Sequence, residues 1–162
     1  MTSRLVLRRA QREDIARVLV NETCAYPVPW GKQALIDSLD PQYDFFVAEL
    51  DEQIVGHLIV QVILDESHLL NLCLHPRYQG RGLGKQMMQY WLDSSRSQTI
   101  HQLLLEVRES NTKALKLYES MGFQKLSVRK NYYPLPDNQR EHGVVMSQSF
   151  PEQPVGGCSL SQ

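Results

Sequence analysis

Apolar residues in the first half of the chain fall into short strand-like runs and two stretches with helical spacing. In the longer of these stretches, Ile15, Val18 and Leu19 would share one face of a helix. The prolines in the following 26–30 segment cannot continue that helix. The pattern predicts helices over 14–24 and 32–39, and strands over 4–9, 43–50, 54–64 and 68–75. The last three strands follow one another through short turns, which favours an antiparallel meander.

The second half of the chain begins with a glycine-rich turn at 80–84 and then alternates helices with strands. The pattern predicts helices from Leu83 and over 111–121, with Gly122 ending the latter, and strands over 102–107, 123–129 and 143–150. Residues 151–162 combine prolines and glycines with few apolar residues, so they are predicted to form a disordered tail. The order predicts one α/β (α+β) domain over residues 1–150, whose mixed, mostly antiparallel central sheet is flanked by helices.

Composition restricts the classes of function. A chain of 162 residues with 42% hydrophobic residues fits a single globular domain, and a formal net charge of −1 gives no long-range attraction for nucleic acid. No apolar run has membrane-spanning length, and no signal peptide is visible. The three cysteines, Cys24, Cys73 and Cys158, are scattered, which disfavours a disulfide framework or a zinc site and suits the reducing cytoplasm. The sequence therefore predicts no metal, no membrane contact and no direct nucleic-acid contact.

The glycine-rich turn predicts an anion site. It follows a strand and opens a helix, so the unpaired N–H groups of the first helical turn and the helix dipole would face a phosphate. Arg81 and Lys85 would add positive charge. A simple strand-to-helix turn is the alternative. A P-loop is disfavoured because Gln86 follows Lys85, and a dinucleotide fold because the glycines stand at 80, 82 and 84.

Two segments resemble the GCN5-related N-acetyltransferase family. Gln79, Gly82 and Gly84 match its acetyl-CoA signature of Arg or Gln, two residues, Gly, one residue, and Gly or Ala. The segment 111–123 (Asn-Thr-Lys-Ala-Leu-Lys-Leu-Tyr-Glu-Ser-Met-Gly-Phe) resembles the family's later helix, which also contributes an asparagine contact to CoA. The resemblance covers residues 4–150 and implies acetyl-CoA as the cosubstrate. The residues implied to bind it are Leu72, Cys73, Leu74, Gln79, Gly80, Arg81, Gly82, Leu83, Gly84, Lys85 and Asn111.

The resemblance, taken with the chemistry of amide formation, implies two catalytic residues. An amine must lose a proton to attack a thioester, and Glu106, on the same face of its strand as Leu104, is the predicted base. Tyr118 is the predicted proton donor to the CoA thiolate. The resemblance also implies that the sheet opens along 72–74, where a backbone N–H would bind the oxyanion. The alternatives are a strand-end glutamate held by an arginine such as Arg108, and a tyrosine that only packs in the core. Cys73, flanked by leucines, is predicted to be inert, so transfer is direct.

Three further segments, 29–30, 105–111 and 129–134, resemble the subgroup of the family that acetylates the N-terminal alanine of a small-subunit ribosomal protein. Gly31, His75 and the Gly80–Arg81 pair depart from that subgroup's usual residues. The residues implied to contact the acceptor peptide are Trp30, Arg108, Asn131, Tyr132 and Tyr133. A small amine as acceptor and a non-catalytic acyl-CoA-binding module remain alternatives, and the oligomeric state is open.

Overall fold

The computed structural model describes residues 4–150, and the predicted disordered tail lies outside this range. A seven-stranded sheet has the order β1-β2-β3-β4-β5-β7-β6, in which only the β4–β5 pair is parallel. The strands are β1 (Leu5–Arg9), β2 (Asp44–Leu50), β3 (Gln53–Ile63), β4 (Glu66–Leu74), β5 (Gln102–Arg108), β6 (Gln124–Pro134) and β7 (Arg140–Ser149). The helices are α1 (Ile15–Ala25), α2 (Lys32–Asp37), α3 (Leu83–Arg96) and α4 (Thr112–Ser120). The predicted mixed, mostly antiparallel sheet and its meander are confirmed.

Helices cover both faces of the sheet. Ile15 of α1 and Leu35 of α2 pack with Ile59 of β3 on one side, whereas Trp91 of α3 packs with Leu58 on the other. Adjacent residues of β3 therefore enter different cores, as the two-residue period of a strand requires. Within residues 4–150, no helix is both long and apolar enough to cross a bilayer.

Two helix boundaries follow their predicted signals. The Asn111 side chain accepts a hydrogen bond from the Ala114 N–H at 3.1 Å, so Asn111 caps α4. Gly122 has φ of +99°, the left-handed conformation expected just after a helix. These two residues fix both ends of the short helix that carries Tyr118.

The sheet opens between β4 and β5. Parallel pairing joins Glu66–Leu69 with Gln102–Leu105 and stops there. β5 stays paired with β7 over its whole length, so the free edge of β4 beyond Leu69 faces a gap rather than a strand. The gap is the opening that the family resemblance implied.

The last hairpin is longer than the sequence pattern predicted. β6 runs to Pro134 rather than ending at 129, and β7 starts at Arg140 rather than at 143. The register shifts between Arg129 and Tyr133, where Asn131 has φ of +51°. A bulge of this kind breaks the alternation on which a strand prediction depends.

Candidate active site

Two cavities meet at the opening between β4 and β5. The larger has a volume of about 370 Å³ and extends past the glycine-rich turn to α4. The smaller has a volume of about 130 Å³ and is bordered by the 26–30 segment, β5 and Tyr133. Tyr26, Leu72 and Tyr118 line both cavities. We call the place where these three residues meet the neck.

The glycine-rich turn forms one wall of the larger cavity. Gly80 and Gly82 have φ of +80° and +78°, in the left-handed region that glycine adopts without strain. Gly82 is the N-cap of α3, so the free N–H groups of that helix begin beside the cavity. Gln79 Nε2 donates to the Leu74 carbonyl at 2.9 Å and ties the turn to β4. Lys85 adds a cation to the same wall.

The sequence-predicted cofactor residues divide into two sets. Those that line the larger cavity are Leu72, Leu74, Gln79, Gly80, Gly82, Gly84, Lys85 and Asn111. The side chains of Cys73, Arg81 and Leu83 are not part of the lining: Cys73 is buried, Leu83 packs with Leu50 and Val55, and Arg81 stacks on Tyr78. Lys113, Ala114 and Leu117 line the cavity as well, although none of them is of a residue type that suggested cofactor binding from the sequence.

The free edge of β4 presents main-chain groups to the opening. The Leu72 carbonyl accepts a hydrogen bond from the Tyr26 hydroxyl, and the Leu74 carbonyl accepts one from Gln79. The Cys73 carbonyl points the other way, towards Gly56 of β3. Because the N–H and C=O of one strand residue point to the same side, the Leu72 and Leu74 N–H groups also face the opening. Donors in this place suit a developing oxyanion.

Tyr118 combines a packed ring with a position at the neck. Its side chain is buried and its ring lies edge-on to Phe123, with 6.3 Å between centroids. Burial raises the pKa of Tyr118 to about 12, so the phenol keeps its proton at neutral pH. Both interpretations of this residue from the sequence, core packing and proton donation, are therefore compatible with one geometry.

Glu106 lies on the wall of the smaller cavity. Its Oε2 accepts a hydrogen bond from Arg129 Nη1 at 3.1 Å, while Oε1 is buried with no hydrogen-bond partner. A Cβ on Gly143 would lie 2.5 Å from Oε1 and 2.9 Å from the Tyr133 ring, so only glycine leaves room for this carboxylate. The carboxylate therefore keeps one oxygen whose hydrogen-bonding capacity is unused.

The arginine that holds Glu106 is not the one suggested by the sequence. Arg108 instead donates to the Pro134 carbonyl at 3.0 Å, lies 3.5 Å from a Glu141 oxygen and stacks on Tyr133. Successive residues of a strand alternate in direction, so Glu106 and Arg108 share a face but each meets a different part of the 129–141 hairpin. The suggestion of Arg108 as the partner was wrong.

Only some of the residues predicted to contact the acceptor peptide lie at the smaller cavity. Trp30, Arg108 and Tyr133 line the smaller cavity. Asn131 and Tyr132 do not: the Asn131 N–H donates to His142 Nδ1 at 3.0 Å, and the exposed Tyr132 ring stacks beneath the Arg129 guanidinium. Both lie in the β6 bulge, which turns them away from the cavity.

Glu22 is a buried carboxylate of the smaller cavity that sequence reasoning missed. Its Oε1 accepts hydrogen bonds from His57 Nε2 at 3.1 Å and Asn71 Nδ2 at 3.0 Å, and its Oε2 accepts one from the Trp30 N–H at 3.0 Å. Burial alone would raise the pKa of Glu22, but these hydrogen bonds outweigh burial and lower it. The available signal was a charged residue on the apolar stripe formed by Ile15 and Val18.

Glu22, His57 and Cys73 place possible metal ligands within 4.8 Å of one another. The donor set does not fit an ion, because Glu22 Oε1 already accepts from two N–H groups, and His57 Nδ1 has no acceptor that would orient a ligating imidazole. Burial also raises the pKa of the Cys73 thiol. Glu22 and His57 belong to a hydrogen-bond network with Asn71, and the expected absence of a metal stays a prediction.

Residues 13–123 match the family model described as Acetyltransferase (GNAT) family. Because that match spans more than half of the 162-residue chain, the chain belongs to this family. The glycine-rich turn, the opening between β4 and β5, and Tyr118 all lie within the matched residues.

The chain is also similar to individual named members of this family. The chain is 38% identical over 135 residues to the ribosomal protein bS18-alanine N-acetyltransferase of Haemophilus ducreyi, covering 83% of this chain and 93% of the relative. It is 35% identical over 126 residues to the Escherichia coli K12 protein of the same name, covering 78% and 84%. The crystal structure of the Escherichia coli ribosomal-protein-S18-alanine N-acetyltransferase superposes with a TM-score of 0.88 at 29% identity, covering 94% and 98% of the two chains.

Proposed function

We propose that this protein transfers the acetyl group of acetyl-CoA to the α-amino group of the N-terminal alanine of ribosomal protein bS18, in the cytoplasm. The observation that carries the proposal is the neck, where one cavity suited to a CoA thioester meets a second cavity that holds a carboxylate. Relatives at 35–38% identity carry this activity in their names. Acetyl-CoA is the donor used by acetyltransferases of this family.

The larger cavity is the proposed site of acetyl-CoA. The N–H groups at the start of α3 and the Lys85 cation would hold the pyrophosphate, and the free edge of β4 would hydrogen-bond the pantetheine arm. The apolar side of α4, with Ala114 and Leu117, would cover the rest of that arm. This placement brings the thioester to the neck, against the Leu72 N–H and the Tyr118 hydroxyl.

The smaller cavity is the proposed site of the acceptor. The amine nitrogen attacks the thioester carbon, forming the C–N bond, and Glu106 takes the amine proton directly or through water. The carbonyl oxygen becomes negative and is stabilised by the free N–H groups of β4. The C–S bond then breaks, and Tyr118 gives its proton to the departing sulfur. Cys73 has no part, because its side chain is buried away from both cavities.

The proposal is tested by locating the transferred acetyl group. The protein is incubated with acetyl-CoA and a peptide that begins with the bS18 N-terminal sequence and also contains lysine, and the product is analysed by tandem mass spectrometry. We expect one acetyl group, on the α-amine. An α-blocked version of the peptide and spermidine serve as competing acceptors. Acetylation of lysine or of spermidine alone would refute the proposal, and binding of acetyl-CoA without turnover would favour a non-catalytic module.

Tyr118→Phe removes the proposed proton donor but keeps the ring that packs on Phe123. We expect kcat to fall about 10²-fold, the lower end of the usual range for proton transfer, because a thiol with an ordinary pKa near 8.5 is already a moderate leaving group. Steady-state kinetics with the bS18 peptide measure the change. The KM for acetyl-CoA should stay within about twofold, and a variant with unchanged kcat would show that Tyr118 only packs.

A further inference from the structure

We propose that the Tyr26 ring sets the length of the acyl chain that the protein transfers, so that Tyr26 is its specificity-determining residue for the acyl donor. The inference rests on the proposed function, since it assumes that a thioester reaches the neck. It assigns a role to a residue that the catalytic chemistry leaves unused. No sequence pattern singles out Tyr26, because it appears only as an aromatic residue between a helix and a proline.

Tyr26 occupies the place where the reacting groups must meet. Only three residues line both cavities in the part of the chain described, and Leu72 and Tyr118 already have chemical tasks there. A thioester enters the neck from the larger cavity and an amine from the smaller one, so the acyl carbon lies between them. Any carbon beyond the acetyl methyl would have to share the neck with the Tyr26 ring.

Two hydrogen bonds and one backbone restriction hold Tyr26 in the neck. Its hydroxyl donates a hydrogen bond to the Leu72 carbonyl on the free edge of β4, and its N–H donates to the Glu22 carbonyl at 3.2 Å. The next residue is Pro27, which favours extended backbone in the residue before it, and Tyr26 has φ of −127° and ψ of 138°. Burial also raises the pKa of Tyr26, so the hydroxyl stays a donor. A longer acyl chain cannot gain space by moving this ring without breaking its hydrogen bond to β4.

A ring held in place in this way discriminates between acyl chains by their size. One methylene more or less in an apolar pocket changes kcat/KM by about 10–200-fold, and the effect depends on whether the wall can yield. Because the hydroxyl and the backbone both anchor Tyr26, we expect the wild-type protein to use acetyl-CoA much better than butyryl-CoA. Removal of the ring should reduce this preference most, whereas removal of the hydroxyl alone, which leaves the ring and its backbone hydrogen bond in place, should reduce it less.

The experiment compares kcat/KM for acetyl-, propionyl- and butyryl-CoA at a fixed bS18 peptide concentration, for the wild type, Tyr26→Phe, Tyr26→Leu and Tyr26→Ala. We expect the butyryl-to-acetyl ratio to rise at least about tenfold in Tyr26→Ala, less in Tyr26→Leu, and least in Tyr26→Phe, which loses one anchor of the ring but keeps the ring itself. Trp30→Ala is the matched control, because Trp30 lines only the smaller cavity. It should raise the KM for the peptide and leave the donor ratio unchanged.

A purely structural role for Tyr26 would lower turnover with all three donors equally and leave their ratio unchanged, which would overturn the proposal. The same conclusion follows if Trp30→Ala raises the ratio as much as Tyr26→Ala does. If Tyr26→Ala does not fold, the butyryl-to-acetyl ratio of Tyr26→Leu tests the proposal instead, and an unchanged ratio in that variant would overturn it. Failure of the proposed function is a separate result, because the wild-type protein would then not acetylate the peptide α-amine with acetyl-CoA.

Discussion

Glu106→Gln is expected to lower kcat/KM for the bS18 peptide by about 10²–10⁴-fold, the range for loss of a positioned proton acceptor. The amide has the size of the carboxylate but cannot take a proton from the incoming amine. Because the two side chains have the same size, the substitution should fit in the space that Gly143 leaves. Steady-state kinetics, with acetyl-CoA and peptide varied in turn, measure the effect.

The kinetic constants separate catalysis from binding. Glu106 lines the smaller cavity and not the larger one, so the KM for acetyl-CoA should change little while kcat falls. Glu119→Gln is the matched control, because Glu119 is an exposed glutamate on α4 and should give wild-type rates. A Glu106→Gln protein with at least a third of the wild-type kcat/KM would mean that another group accepts the proton.

Glu22→Ala is expected to lower the free energy of unfolding by about 3–5 kcal/mol, the usual cost of removing one partner from a buried, charged hydrogen-bond network. Three donors on three segments, His57 Nε2, Asn71 Nδ2 and the Trp30 N–H, would lose their acceptor, and the side chains of His57 and Asn71 are buried. Denaturant unfolding measures the change, and the slope with denaturant should stay the same.

The difference in the free energy of unfolding between wild type and Glu22→Ala depends on pH, and the direction of the Glu22 pKa shift determines how. The pKa of Glu22 is lower in the folded protein than its ordinary value of 4.5, so the ionised carboxylate stabilises the fold fully above that value. The stabilisation is lost as the pH falls below 4.5 and through the folded-state pKa. The gap between wild type and Glu22→Ala should therefore be constant near neutral pH and narrow in acid. Glu119→Ala again serves as the control, and an equal loss in that variant would contradict the account.

Features that depend on only a few consecutive residues, such as helix ends and tight turns, could be predicted from the sequence. Asn111 and Gly122 stand at the two ends of α4 because a cap and a left-handed C-terminal residue are properties of a few consecutive residues. The glycine-rich turn followed the same logic: Gly80 and Gly82 adopt positive φ in the place where the motif requires it. The order of strands β2 to β4 was predictable because short turns leave few alternatives.

Contacts between distant segments were not predictable in this way. The Arg129–Glu106 pair joins β6 to β5 across the intervening β7, so it forms only once the three strands have paired. Glu22 meets His57 and Asn71 across 35 and 49 residues of sequence, so its role appears only once α1 has packed on the sheet. The opening between β4 and β5 was implied by family resemblance alone, because both strands look continuous in the sequence.

The most direct test of the central claim is a crystal structure with a conjugate in which CoA is joined through an acetyl linker to the α-amine of the bS18 N-terminal peptide. The account predicts the pyrophosphate at residues 80–85, the linker in the neck between Tyr26 and Tyr118, and the peptide nitrogen within reach of Glu106. A conjugate whose peptide lies outside the smaller cavity, or whose linker is remote from both Tyr118 and Glu106, would contradict it.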